Sequence, residues 1–222
     1  MEQDPPTAGT PAEASGPPDV GQSRTQGTGQ APEDERVQAA NAPGRGRSPL
    51  EPLVGAVERA AVLDGPASAL ASLYREAFSP PALKAALRGD WLGHAVHPVL
   101  SDVVVGTLLS ASLLDVIGGD ENRRARHRLI ATALAAAAPT AMTGGNDWAE
   151  EAGDDGVRRA GLVHALSNST ALALYAGSMT TGRRRAVALR AAGAAALGAG
   201  AYLGGHLSFV KGVGVDPGRA SR

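Results

Sequence analysis

The chain of 222 residues contains no cysteine. That excludes a disulfide framework, a thiolate nucleophile and a cysteine-held iron–sulfur cluster. It also lacks a glycine-rich phosphate loop in the right setting. "GTGQ" lies in a polar segment, and "TGGND" follows an apolar helix where a nucleotide fold would need a strand. No Ser-His-Asp arrangement is legible in the linear order. No basic segment followed by an apolar core stands near the N-terminus, so no cleavable signal peptide is expected. A surplus of either charge is missing as well, with 21 Lys and Arg against 22 Asp and Glu. That balance says little about partners, because it averages a polar third with an apolar remainder.

What is present divides unevenly. Eight of the 15 prolines fall in residues 1–50, in stretches such as "DPPTAGTPAEASGPP". This segment has too few large apolar residues to offset its ordering entropy, and residues 1–50 are expected to be a disordered tail. Residues 51–90 hold "LEPLVGAVERAAVL", "ASALASLYREAF" and "PALKAALRG", broken by Pro66 and by Pro80–Pro81. Each reads as a short helix with one apolar stripe, able to pack on a bundle or lie at a membrane surface.

Four apolar runs follow, at 98–117, 127–144, 157–181 and 186–210. A membrane helix needs roughly 20 mostly apolar residues. Two runs reach that length comfortably, the first carries two aspartates, and the second is short. Pro98 suits a first helical turn, and Gly118–Gly119 suit a C-terminal cap. Ala and Gly outnumber Leu and Phe, and Gly200-x-x-x-Gly204 matches a small-xxx-small packing pattern. The rival is a soluble alanine-rich four-helix bundle, but these runs lack the charged stripe that a soluble bundle exposes. The expected fold is therefore all-α: an integral membrane four-helix bundle over 91–212, with a disordered N-terminal tail and a short tail at 213–222.

Four consecutive spans alternate in direction. The start of the first run, the loop between the second and third, and the end of the fourth then share one side. His94, His97 and Asp102 lie at the start of the first run, Asp147 and Trp148 after the second, His164 within the third, and His206 near the end of the fourth. Four of the five histidines thus converge, and only His127 falls on the other side. Trp91 and Trp148 join them, as an aromatic belt at one interface would. Asp115 is near the opposite side, within reach of its arginines. Arg123, Arg124, Arg126, Arg128 and Arg183–Arg185 occupy that opposite side, against Arg158 and Arg159 on the histidine side. The positive-inside rule then makes the arginine side cytoplasmic and the histidine side extracytoplasmic in the cell membrane. Arg75, Lys84 and Arg88 pull the other way. These basic runs read as topology signals with anionic-lipid contact, not as nucleic-acid binding.

"WLGHAVHPVLSDVVVG", "PTAMTGGNDW", "RRAGLVHALSNSTALALYAGS" and "AYLGGHLSFVKGVGVD", in that order, resemble a bacterial family of unknown function, predicted to span the membrane four times. Its members typically start with Gly-His-Pro-x-His-Pro and occur alone or fused to a Rieske-type iron–sulfur domain. The resemblance covers about residues 50–217, with Ala95 standing where the family usually has proline. It implies no assigned chemistry, only an association of some relatives with electron transfer, and a Rieske-type or other redox protein as partner.

A histidine inside a span is costly and usually faces the bundle interior for a reason. Imidazoles on two helices can clasp haem b, which makes His164 and His206, the deepest-placed, the first cofactor-binding candidates, with His94 or His97 as alternatives. A zinc or iron ion is the alternative, with His94, His97, Asp102, Asp147, His164 and His206 as ligands. A quinone site exchanging protons with a histidine and a carboxylate is a third reading. Against all three stands simple hydrogen bonding of the histidines at helix ends. At the level of the whole protein, a redox-associated membrane protein competes with a non-catalytic anchor for a redox partner. A transporter would need a homo-oligomer to form a pathway.

Overall fold

The computed structural model describes residues 48–214. The expected disordered tail therefore lies outside the described residues except for its last three, and of the tail at 213–222 only Val213 and Gly214 are described. Among the described residues the chain is all-helical, with seven α-helices and no strand. They are α1 (Glu51–Arg59), α2 (Asp64–Ala77), α3 (Pro81–Arg88), α4 (Val96–Ile117), α5 (Arg123–Glu151), α6 (Asp155–Ser178) and α7 (Arg183–Phe209).

The four long helices form two antiparallel hairpins, α4 with α5 and α6 with α7, packed side by side. Short connections enforce this: a 3₁₀ turn at Asp120–Asn122 joins the first pair and Met179–Gly182 joins the second. The short helices α1 and α2 pack on α6, and α2 and α3 pack on α5. Their break lies at Ala60–Leu63 and not at Pro66, which sits in the first turn of α2, where a missing N–H costs nothing.

Two expectations about helix boundaries change. "TGGNDWAEE" does not follow the second helix. It is the last part of α5, so Asp147 and Trp148 are helical and buried. Gly118 ends α4 in an extended conformation with φ −113°, not in the left-handed cap expected of it. The chain must turn at once into the 3₁₀ segment, and the Gly119 carbonyl is held by Arg126 instead.

Two helices, α4 and α7, are long and apolar enough to cross a membrane. The others fall short for visible reasons. α5 begins with Arg123, Arg124, Arg126 and Arg128 and ends with Asp147, Glu150 and Glu151, while α6 carries Arg158, Arg159 and His164. One of the two candidate spans, α4, shows its apolar residues on both its outer and its inner face. On α4, Val99, Val103, Leu109, Leu113 and Val116 form one exposed apolar face, while Val104, Leu108 and Ala111 face the core.

Inside, Leu108, Ile130, Ala133, Ala171, Tyr175 and Leu197 form the apolar centre. Beside it lies a buried ionic knot. Arg190 grips Asp115 with two hydrogen bonds of 2.5 and 2.7 Å and reaches Ser178. Arg126 lies 3.4 Å from the same carboxylate and donates to the Leu114 and Gly119 carbonyls. One aspartate thus ties α4 to α5 and α7. The pairing of Asp115 with arginines, expected from sequence, acquires specific partners here.

Removing the aspartate leaves two guanidiniums buried without a counter-charge, a loss that typically costs about 3–5 kcal/mol. Asp115→Ala should therefore lower the unfolding midpoint strongly in detergent, and the double change Asp115→Ala, Arg190→Leu should recover part of the loss. A thermal unfolding series on the three proteins measures both.

Candidate functional site

The two best-placed histidines occupy equivalent positions in the two hairpins. On α4, His97 Nδ1 lies 3.0 Å from the Thr140 carbonyl of α5, and Ser101 Oγ lies 3.3 Å from Nε2. On α6, His164 Nδ1 lies 2.8 Å from the Gly200 carbonyl of α7, and Asn168 Nδ2 lies 3.2 Å from Nε2. A carbonyl only accepts, so Nδ1 carries the proton in both rings and Nε2 presents its lone pair. Each ring fits because the facing helix has glycine one turn beyond that carbonyl. A Cβ on Gly144 would collide with the His97 ring, and one on Gly204 would meet His164 Cε1 at 2.8 Å. Gly200 makes the same room for Asn168. The small-xxx-small pattern of α7 therefore accommodates polar side chains of α6, and not only a close backbone. The two imidazoles lie near enough for their charges to interact.

The remaining candidates are dispersed around this pair. His94 is exposed, and its Nδ1 donates to the carbonyl of its neighbour Ala95. Asp102 is exposed on α4. His206 Nε2 is bound at 2.8 Å to Glu58 Oε1 of α1, which also receives Lys211 Nζ at 3.0 Å. Among the described residues, no group of three or more His, Asp or Glu side chains is placed to hold a metal ion. His127 lies at the opposite end, beside Arg123, Arg124 and Arg128.

Asp147 is 7% exposed; among the described residues it accepts only a long 3.4 Å contact from Asn146 on Oδ1 and has no partner for Oδ2. Burial pushes its carboxyl up to about 6, against the smaller opposing pull of Asn146 and Arg88. It borders a cleft of about 280 Å³ that His94 and Arg88 also line. Beneath it, Trp148 fills the gap above Gly161 and donates from Nε1 to the Val157 carbonyl at 3.1 Å, with Tyr74 edge-on at 6.4 Å. Trp148 is thus a core residue and not part of an interfacial belt; Trp91, 72% exposed, is the tryptophan still placed for one.

Sequence reasoning missed Ser101, Asn168 and the glycine seats. A signal existed: Gly144–Gly145 and Gly204–Gly205 stand at the same distance from the arginines that open α5 and α7. Comparison with protein-family models, curated proteins and solved structures returned no match.

The Glu58 contact makes a separate prediction. Burial raises this carboxyl, but hydrogen bonds from His206 and Lys211 outweigh it and hold the group below its usual 4.5. A depressed carboxyl stabilises the fold fully above its unfolded value and ceases to as pH falls through the folded one. Docking of α1 should therefore be complete at neutral pH and weaken below about pH 4.5. Glu58→Gln should weaken it at neutral pH by about 1 kcal/mol. Hydrogen exchange of residues 51–59 reads both effects; unchanged protection in the variant would refute the assignment.

Proposed function

We propose that the protein is a four-span integral membrane protein, redox-associated, that holds haem b between His97 and His164. The observation that carries this reading is the shared geometry of the two rings. Each comes from a different hairpin, donates Nδ1–H to a main-chain carbonyl and keeps a basic Nε2. Metal-ligating histidines characteristically use such a bond from the other ring nitrogen to fix tautomer and ring orientation. His97 and His164 would hold the group through Nε2, in place of the contacts those atoms make to Ser101 and Asn168. When bound, haem would supply one-electron transfer. The glycines at 144 and 204 give both rings room against the facing helices. His94 and His206 drop out of the candidate ligands, the first being exposed and the second held by Glu58. Zinc or iron held by side chains alone is the weaker choice, because no three ligands converge among the described residues.

The four-span reading draws on α4 and α7 as candidate spans and on the outward apolar face of α4. The arginines at the α4–α5 and α6–α7 turns support a cytoplasmic location for that end, with the histidine end extracytoplasmic. Membrane lipids and a Rieske-type or other redox protein are the corresponding partners, and self-association is compatible with the exposed face of α4.

A second reading has its own observation. Both Nε2 atoms already accept hydrogen bonds from Ser101 and Asn168, which suits a non-catalytic membrane anchor with satisfied structural histidines. Purified in mild detergent and supplied with haem, the protein should give b-type bands in a reduced-minus-oxidised spectrum. His164→Ala should abolish them and His206→Ala should keep them. A featureless spectrum from a folded preparation would eliminate the haem reading and leave the anchor.

A further inference from the structure

A cleft at the histidine end stands apart from the His97–His164 pair. Its floor is Asp147 on α5, and its walls include Arg88 at the end of α3, Asp90 after it, His94 before α4, and Glu150 and Glu151 at the end of α5. Gly214 closes one side, with φ +70° and its backbone near Asp147 Oδ2. Two of the four carboxylates are neutralised within the protein. Asp90 takes two hydrogen bonds from Arg88, at 3.3 and 3.0 Å, and Glu150 pairs with Lys84 at 2.5 Å. Asp147 Oδ2 and Glu151 have no such partner among the described residues. A buried carboxylate oxygen without a donor is expensive, and native proteins tend to keep one only where something else supplies the donor.

From this arrangement we infer that the cleft is a binding site for a small organic cation bearing N–H donors, a protonated primary amine, with Asp147 as its anchor and Glu151 at the rim. Charge excludes the alternatives. Two unpaired carboxylates repel an anion, and Arg88 is already committed to Asp90. A divalent metal needs several converging ligands, which are absent among the described side chains. An ammonium group needs only acceptors, and a charge-assisted bond to Asp147 Oδ2 would satisfy the orphaned oxygen. The cleft, about 280 Å³, admits a ligand of small-molecule size. This site does not depend on haem.

The test is calorimetric titration of the detergent-purified full chain with ethylammonium chloride, with tetramethylammonium chloride and sodium chloride as controls at equal ionic strength. Saturable binding of ethylammonium and none of the controls is expected. Asp147→Asn should weaken it at least about tenfold, the worth of one lost charge-assisted bond, and Glu151→Gln by a smaller factor. Since Asp147 is buried, Glu151→Gln also serves as the variant that leaves the core untouched. Lowering the pH from about 6 to 5 should weaken binding up to about tenfold, as a proton competes for Asp147. Arg88, Asp90, His94, Glu150 and Glu151 face the same carboxylate, and Arg75 of α2 reaches the nearby Ala149 carbonyl. His94 lines the same cleft, and His94→Asn should retain the pH dependence, because Asp147 is its source. Equal binding of tetramethylammonium, full binding by Asp147→Asn, or no saturable heat with ethylammonium would each overturn the proposal. His164→Ala should bind ethylammonium as wild type does, which keeps this outcome separate from that of the haem experiment.

Discussion

A polar side chain buried inside a helical bundle must find its partner within the bundle, because the packed interior is closed to water. The rest of this structure follows from how that requirement is met. Each of the polar groups His97, His164, Asn168 and Tyr175 lies against a glycine on the facing helix. His97 and His164 thereby come close enough to bond to a carbonyl of that helix, Thr140 and Gly200 respectively. Small residues thus serve polar satisfaction and helix packing together. The abundance of Ala and Gly, which looks bland as composition, is what lets two helical hairpins enclose imidazoles and ion pairs.

The two ends of the bundle solve different problems. At the arginine end the buried charges are paired internally: Asp115 holds Arg126 and Arg190, the Leu114 and Gly119 carbonyls accept from Arg126, and Ser178 Oγ accepts from Arg190. This knot couples α4, α5 and α7 and is structural in character. At the histidine end satisfaction is incomplete. Asp147 retains an orphaned oxygen beside a cleft, while α1 to α3 are drawn over the neighbouring surface through Glu58, through Asp64 with Arg158 and Arg159, and through Tyr74. Unfinished polar pairing concentrated at one end distinguishes a candidate working surface from a sealed one.

The short helices at 51–88 show why amphipathicity alone left two readings open. A stripe of Ala67 and Ala71 can cover either lipid or protein, since both are apolar. The decision comes from ionic contacts distant in sequence, chiefly Arg159 with Asp64 at 2.6 Å. Likewise the sequence placed Asp147 and Trp148 just past a helix, because Gly144–Gly145 looks like a stop. The helix continues through them because the two glycines receive the His97 and Tyr74 rings from neighbouring helices, a tertiary benefit that outweighs their low helix propensity.

The sequence by itself determined an all-helical chain, four long apolar or semi-apolar segments in alternating directions, and the gathering of His94, His97, His164 and His206 towards one end. Those follow from local periodicity and chain length, which are properties of neighbouring residues. Only the tertiary structure decided which histidines form a pair, that His206 belongs to Glu58, that Trp148 is core, and that Asp147 lies over a cleft. Side-chain partners depend on the rotation of each helix about its own axis. That rotation is set by which residues can approach across the interface, and in this chain by the glycines of α5 and α7, so it is not written in any single segment.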